Sequence, residues 1–393
     1  MTKEPRSRLF KIAISFILVI GLIVPTFLSG CDVDLSKSDE PITDNSKIKI
    51  GVSIWSSTDV LGFMCKTVIE QCASALGVGV QFVDQGHKSE EVVASVEKLA
   101  AAGCQGVIIC NSSDSEMISS IKTCNDNHVY IAQFFRHISE ENNPEIYNMA
   151  YQSKYFVGSV YENEVKNGQK LVQILIDKGD RNIGVIGWEQ GDATWLGRYE
   201  GYQKGVEEWN ASHPNDKAKL SEPQYAGTTS DGGSKAAEAL MSADPSITAL
   251  IAAGGGGDPL QGTIAAVERA GKVGKIHVVS TDFLADLGER LENGSMTAES
   301  GGHLWDPMFA FMLVYNAIKG NYNDTENNYY EVEFPYIYVS SPEEYRLFEE
   351  YFVNKSAYTN EELVEISNMT LEQLKAKALT VSVEDAISRS QGE

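Results

Sequence analysis

The sequence predicts an α/β protein of two doubly wound lobes, each a parallel sheet with helices on both faces. Three observations predict it. From Lys47 onward, short β-branched runs alternate with amphipathic helical stretches. The apolar strands lack the polar alternation of a half-exposed sheet, so both of their faces are buried. After residue 150 the alternation restarts, which makes two blocks of one kind.

KIKIGVSI (47–54) reads as the first strand and GFMCKTVIEQCASALG (62–77) as its helix. VQFVD (80–84) is a strand, and SEEVVASVEKLAAAG (89–103) is a helix capped by Ser89 and stopped at Gly103. GVIICN (106–111), a helix over 114–127 and VYIAQFF (129–135) complete the first block. A helix over 154–178 opens the second block, before strand NIGVIGW (182–188) and a helix over 195–209. Strand PQYAG (223–227), helix 234–242, strand ITALIAAG (247–254) and helix 260–271 follow. HVVSTD (277–282) is a strand and 284–293 a short helix. The tail carries a helix over 307–319, strand VEFPYIYV (332–339) and two capped helices beyond it. Ser341-Pro342 starts one of these, and Thr370 with Gln373 starts the other. They are expected to pack on one lobe as an appendage.

The N-terminus sets the compartment. Lys3, Arg6, Arg8 and Lys11 precede an apolar run from Ile12 to Val24. That run is too short to span about 30 Å of hydrocarbon as a helix, so it reads as a cleaved signal. Leu28-Ser29-Gly30-Cys31 then resembles a bacterial lipobox, in which Cys31 takes a diacylglycerol and becomes the first mature residue. Residues 32–46 are polar and aperiodic, a tether with a reach of about 20 Å. The mature chain carries a net charge of −26, the −23 of the whole chain less the +3 of its leader. Such acidity excludes nucleic acid, because nothing could neutralise a row of phosphates. It suits a domain that stays off an anionic membrane while tied to it. Cys65 and Cys72 lie about 10 Å apart along a predicted helix, beyond disulfide reach. With Cys104, Cys110 and Cys124 they read as buried small hydrophobes. No spacing suggests a zinc site, and no cofactor is implied.

Over residues 47–340 the ordered set of strands and loops resembles the type I periplasmic sugar-binding proteins, the family of the ribose-binding protein. The likeness rests on KIKIGVSI with WSSTDVLGF after it, GVIICNSSDSEMISSI (106–121), VYIAQFFR, GWEQGDATWLGRYEGYQKG (187–205), ADPSITALIAAGGGGDPLQGTIAAVERAGK (243–272) and HVVSTDF (277–283). Repressors share these lobes behind a DNA-binding headpiece, whose place a lipobox takes here. The resemblance implies two lobes joined by a three-crossover hinge, with a sugar held between them. The implied organisation is a signal over 1–30 and a tether over 31–46. The N-terminal lobe takes 47–150 plus 304–331, the C-terminal lobe 151–303 plus 332–340, and a helical extension 341–393.

Ligands of open α/β sheets sit beyond the carboxyl ends of strands, and these loops are rich in aromatics. Trp55 follows the first strand and reads as a stacking wall. Asp59 matches a ligand-binding asparagine of the family, and Asp282 the aspartate that bonds sugar hydroxyls. Arg136 keeps the arginine of the family's Asp-Arg pair, while Phe135 replaces the aspartate and points to a ring other than ribose. Trp195 falls where the family places a ligand-binding arginine, whereas Arg198 reads as structural. His303 lies near the third binding crossover. Gly256, within Gly254–Gly257, reads as a backbone-lined wall; the run lacks the Gly-Lys-Ser/Thr of a phosphate loop.

The function that follows is a lipid-anchored binding protein on the outer face of the cytoplasmic membrane, not an enzyme. It would pass a carbohydrate to the permease of an ABC importer. A monomer is expected. A receptor subunit for a sensor kinase is the alternative. A glycosidase is weaker, because Asp59 and Asp282 fall on opposite lobes and no carboxylate pair is evident. No G-x-S-x-G nucleophile elbow occurs.

Overall fold

The computed structural model describes residues 41–392 apart from 87, 255–257 and 323–328. Cys31, the leader and most of the tether fall outside the described residues. In chain order β1 (Lys49–Ile54), α1 (Val60–Leu76), β2 (Gly79–Asp84), α2 (Ser89–Ala101), β3 (Gly106–Ile109), α3 (Asp114–Asn127) and β4 (Tyr130–Phe134) form successive βα units. Local chemistry sets their ends. Asp59 caps α1 through the Gly62 N–H, and Gly77 stops that helix with a left-handed φ of 67°. Ser113 and Glu116 form a capping box on α3. Next come α4 (Pro144–Gln152) and β5 (Phe156–Glu162).

The second lobe begins with α5 (Glu164–Asp177), β6 (Asn182–Gly187), α6 (Ala193–Ser212) and the short β7 (Lys219–Leu220) and β8 (Gln224–Tyr225). It continues through α7 (Ser230–Ala243), β9 (Ala249–Ala252), α8 (Asp258–Arg269), β10 (His277–Thr281), α9 (Leu287–Asn293) and β11 (Ala298–Gly301). A 3-10 turn (His303–Trp305) leads back to the first lobe through α10 (Asp306–Ile318) and β12 (Tyr330–Phe334), and β13 (Ile337–Val339) returns to the second. The first sheet runs β12-β5-β4-β3-β1-β2 and is parallel throughout. The second runs β13-β11-β10-β9-β6-β7, with β8 also on β6 and β13 antiparallel to β11. The chain therefore passes between lobes three times: after Glu162, after Gly301 and after Phe334. Helix α10 is buried on every side, which explains its apolar run from Pro307 to Tyr315.

Three expectations change. The helix read over 154–178 is instead β5 followed by α5, and β5 belongs to the first sheet. Its Phe156, Val157 and Val160 are buried. Gly158 lets β12 approach, because a Cβ there would stand 2.2 Å from the Tyr330 carbonyl oxygen. The strand read over 332–339 is two strands in different sheets, divided at Pro335-Tyr336. The lobe limits at 150 and 331 shift accordingly.

The C-terminal extension lies across both lobes rather than on one. It comprises α11 (Pro342–Phe348), a π-helical turn (Glu349–Asn354), α12 (Asn360–Ser367), α13 (Leu371–Ala378) and α14 (Val383–Gln391). At the second lobe, the Tyr345 hydroxyl donates to the Leu284 and Ala285 carbonyls at 3.2 and 3.3 Å. The Phe348 ring stands edge-on to Phe283 at 4.7 Å. At the first lobe, Gln71 of α1 donates to the Tyr358 carbonyl at 2.9 Å, and the Tyr322 hydroxyl to that of Met369 at 3.0 Å. Between α1 and the π-helical turn lies a cavity of about 570 Å³, bordered also by Leu304 and Trp305.

Candidate functional site

The carboxyl ends of both sheets and the three connections bring one group of side chains together. Trp55 leaves β1, and its indole N–H donates to Asp59 Oδ2 at 2.6 Å. The other Asp59 oxygen caps α1 through the Gly62 N–H at 2.8 Å. Asp59 thus orients the tryptophan as well as starting the helix. The Trp55 ring faces Phe135 at 5.8 Å. Phe135 meets His303 edge-on at 5.0 Å, and His303 meets Tyr336 at 5.1 Å. An aromatic run therefore crosses from the first lobe to the connection between β12 and β13.

Phe135 and Asp282 share a backbone signature. Their φ values are 58° and 74°, a left-handed region that L side chains rarely adopt. Such strain collects where a side chain must be aimed. The Phe135 N–H donates to Asp306 Oδ1 at 3.2 Å, and the Asp282 N–H to the Ser300 carbonyl at 2.8 Å. Asp282 Oδ1 lies 3.3 Å from His303 Nε2. His303 is buried and its Nδ1 has no partner. Burial pushes the imidazole pKa down, against the pull of Asp282, so the ring is neutral at pH 7.

Arg136 follows Phe135 and bonds carbonyl oxygens, Nε to Asn111 at 3.0 Å and Nη1 to Phe135 at 2.8 Å. Burial opposes its charge, but Cys110, Asp192, Glu164 and Glu162 raise its pKa. A buried polar ladder supports the turn from below: Gln133 donates to Asn111 at 2.7 Å and accepts from Ser159 at 2.9 Å. From the second lobe, Asp192 approaches Arg136 while capping α6 through the Trp195 N–H at 2.9 Å.

Trp195 itself is a correction. It is wholly buried in the second lobe's core, stacked on Tyr199 at 5.2 Å. Its ring occupies the space left by Gly187, where a Cβ would come within 2.9 Å of it. It is core packing, not a wall of the cleft. Trp305 is buried as well, edge-on to Tyr358 at 5.1 Å. Gly256 lies outside the described residues. Arg198 takes the structural place expected of it. It is buried, pairs with Glu164 at 2.8 Å and donates to the Ala253 carbonyl and the Tyr336 hydroxyl.

Sequence reasoning missed Tyr336, Glu164, Glu162, Asp306 and Asp192. Tyr336 follows Pro335, a residue that cannot donate within a strand and so marks the break between β12 and β13. Asp306-Pro307 and Asp192 carry helix-start signals that were available in the sequence. Glu162 and Glu164 were hidden in a stretch read as one helix. Taken together, the geometry offers aromatic faces, one arginine with N–H groups to spare and two aspartates, all beside a hinge. Such a site can hold a ring with apolar faces and a polar edge.

The periplasmic binding protein domain family matches residues 50–320. Solved structures alike in fold include an ABC transporter solute binding protein from Bacillus halodurans with bound myo-inositol. It shares 19% identity and a TM-score of 0.63, covering 79% of this chain and 99% of that one. A periplasmic solute binding protein from Actinobacillus succinogenes with bound D-allose shares 17% identity and a TM-score of 0.62, over 75% and 97% of the two chains. The Caulobacter myo-inositol binding protein shares 17% identity and a TM-score of 0.60, over 76% and 95%. No curated protein matches the chain in sequence. At these identities the likeness is one of fold.

Proposed function

Because the chain belongs to the periplasmic binding protein family, we propose that it is an extracytoplasmic lipoprotein that captures a carbohydrate between its lobes and delivers it to an ABC importer. The observation that carries this reading is the aromatic run Trp55–Phe135–His303–Tyr336 beside Arg136 and Asp282. Aromatic faces take the C–H faces of a sugar ring, and ionised groups take its hydroxyls as strong hydrogen-bond partners. Arg136 has five N–H donors, and two of them go to backbone carbonyls. The others are available to hydroxyl oxygens, while Asp282 accepts from hydroxyl protons. That solved proteins of this fold hold myo-inositol and D-allose supports a cyclic polyol of similar size. Loss of the family's aspartate at Phe135 argues for a ring more apolar on that side than ribose.

Closure of the lobes desolvates the ring and forms the surface that a permease reads. The lipobox-like Leu28–Cys31 stretch and the net charge of −26 beyond it support a lipid tether on the outer face of an anionic membrane. Replacing Cys31 by serine should move the protein from the membrane to the soluble fraction; pelleting of the variant with membranes defeats the anchor.

The central test is a thermal-shift screen of residues 32–393 against pentoses, hexoses, disaccharides, alditols and nucleosides. A ligand at 100 times its Kd adds about 2.7 kcal/mol of stability. A single hit supports the carbohydrate reading, and silence from folded protein overturns it. Deletion of the gene should then abolish growth on that carbon source. Intact uptake with a transcriptional defect overturns delivery in favour of sensing.

A further inference from the structure

Two carboxyl groups meet beneath the Phe135–Arg136 turn, neither in a salt bridge among the described residues. Glu162 ends β5 at the first connection between lobes, and Asp306 opens α10 at the second. Both are buried, and the two carboxyl groups face each other. Glu162 Oε1 and Asp306 Oδ2 have no hydrogen-bond partner. Two carboxylates have no donor between them, so a bond that satisfies both oxygens needs a proton. The remaining Asp306 oxygen, Oδ1, accepts the Phe135 N–H at 3.2 Å.

The groups facing the pair come from every neighbouring element. Glu164 stands at the start of α5, Tyr336 on the link between β12 and β13, Cys110 after β3 and Cys65 on α1. Arg136 is the one cation among them, and its bonds go to the Asn111 and Phe135 carbonyls rather than to the pair. Arg198, the next cation, is taken by Glu164.

We propose that Glu162 and Asp306 share a single proton, and that this acid–carboxylate pair is the positioning device for the Phe135–Arg136 turn. The proton lies between the two side chains and the pair carries one negative charge. Its loss leaves two facing carboxylates. The chain of contacts is short: Glu162 holds Asp306, Asp306 holds the Phe135 N–H, and that bond fixes the left-handed turn aiming Phe135 at Trp55 and His303. Burial pushes both carboxyl pKa values up, helped by Glu164 at Glu162 and by Glu162 at Asp306, the direction that sharing requires. The relevance of the turn to a ligand rests on the carbohydrate reading above; the shared proton does not.

The test is the melting temperature of the full chain in detergent, from pH 5 to 9, for wild type, Asp306→Asn and Glu162→Gln. An acid with a raised pKa keeps a proton that the unfolded chain releases. Across that window the folding equilibrium loses up to about tenfold per pH unit. In Asp306→Asn the amide nitrogen donates where the proton stood, and the amide oxygen still accepts from Phe135. Its melting temperature should therefore gain on wild type as pH rises, and Glu162→Gln should behave alike. A difference that stays constant from pH 5 to 9 overturns the shared proton. Hydrogen exchange at the Phe135 amide, referenced to its neighbours, tests positioning. Asp306→Leu should speed it at least tenfold, and Asp306→Asn should restore the wild-type rate. Equal exchange in the leucine variant and wild type overturns the positioning role. If the leucine variant does not fold, the exchange rate in Glu162→Ala decides the same point. Neither readout uses a sugar, so an empty ligand screen defeats only the carbohydrate reading.

Discussion

Asp282 bears both a strained backbone and an acidic contact to His303, so its two roles can be separated by chemistry. Asn tolerates the left-handed region better than most residues. Asp282→Asn should therefore melt close to wild type while losing about 1–3 kcal/mol of ligand affinity, the cost of a weakened buried hydrogen bond. Calorimetric titration with the sugar found by screening checks it, and unchanged affinity removes Asp282 from the site. Trp55→Ala should weaken the same ligand by a comparable amount. His303 makes a pH prediction of definite sign. Burial lowers its pKa below the ordinary 6.5, so the unfolded chain takes up a proton first as pH falls. Its contribution is complete above pH 6.5 and is lost as pH drops through that value toward the folded pKa. His303→Gln should therefore gain on wild type between pH 7 and 5 in melting temperature. Arg198 differs in kind. Its side chain is 4% exposed beside a 20% exposed Glu164. Arg198→Met leaves that carboxylate uncompensated and should cost about 3–5 kcal/mol in urea unfolding.

At the scale of elements, Gly158 is the point where one atom decides a strand pairing. A Cβ there would stand 2.2 Å from the Tyr330 oxygen, so Gly158→Ala must push β12 off β5. A loss of about 2 kcal/mol or more is expected from such strain, with faster exchange of the Val332 amide. The alternation of strands and helices was legible because each element announces itself locally: GVII with no polar member, Ser113 and Glu116 at a helix start, Gly77 after a helix end. β5 was not legible. Only Asn163 separates FVGSVYE from EVKNGQKLVQILID, and the apolar residues of both keep a plausible helical spacing. Only the pairing with β4 and β12 makes it a strand. Strand-end position put Trp55, Phe135, Arg136 and Asp282 in loops that the fold brings together. It failed for Trp195, which lies in the first turn of α6 and faces Tyr202 and Tyr225. Strand-end position names loops that converge, but not which way a side chain turns once a helix has begun.

For the whole molecule, Cys65, Cys72 and Cys110 are free and buried, and burial pushes each thiol's pKa up. A thiol reagent should therefore modify them only on the timescale of unfolding. The C-terminal extension has the larger consequence. Its contacts were illegible in the sequence because they join distant segments: Tyr345 reaches a carbonyl 61 residues away, and Gln71 reaches one 287 residues away. If the lobes part and shut as the proposed capture requires, a segment fixed to both biases that balance before any ligand arrives. Apparent affinity scales with the population already competent to bind. Phe348→Ala, which cuts one attachment, should thus weaken binding without touching the cleft and raise the ligand-free radius of gyration in small-angle scattering. It should also quicken release. If the protein carries the proposed ligand, an intact strap makes it a slow-leaking container, and any partner that empties it has a clasp to pry loose far from the cargo.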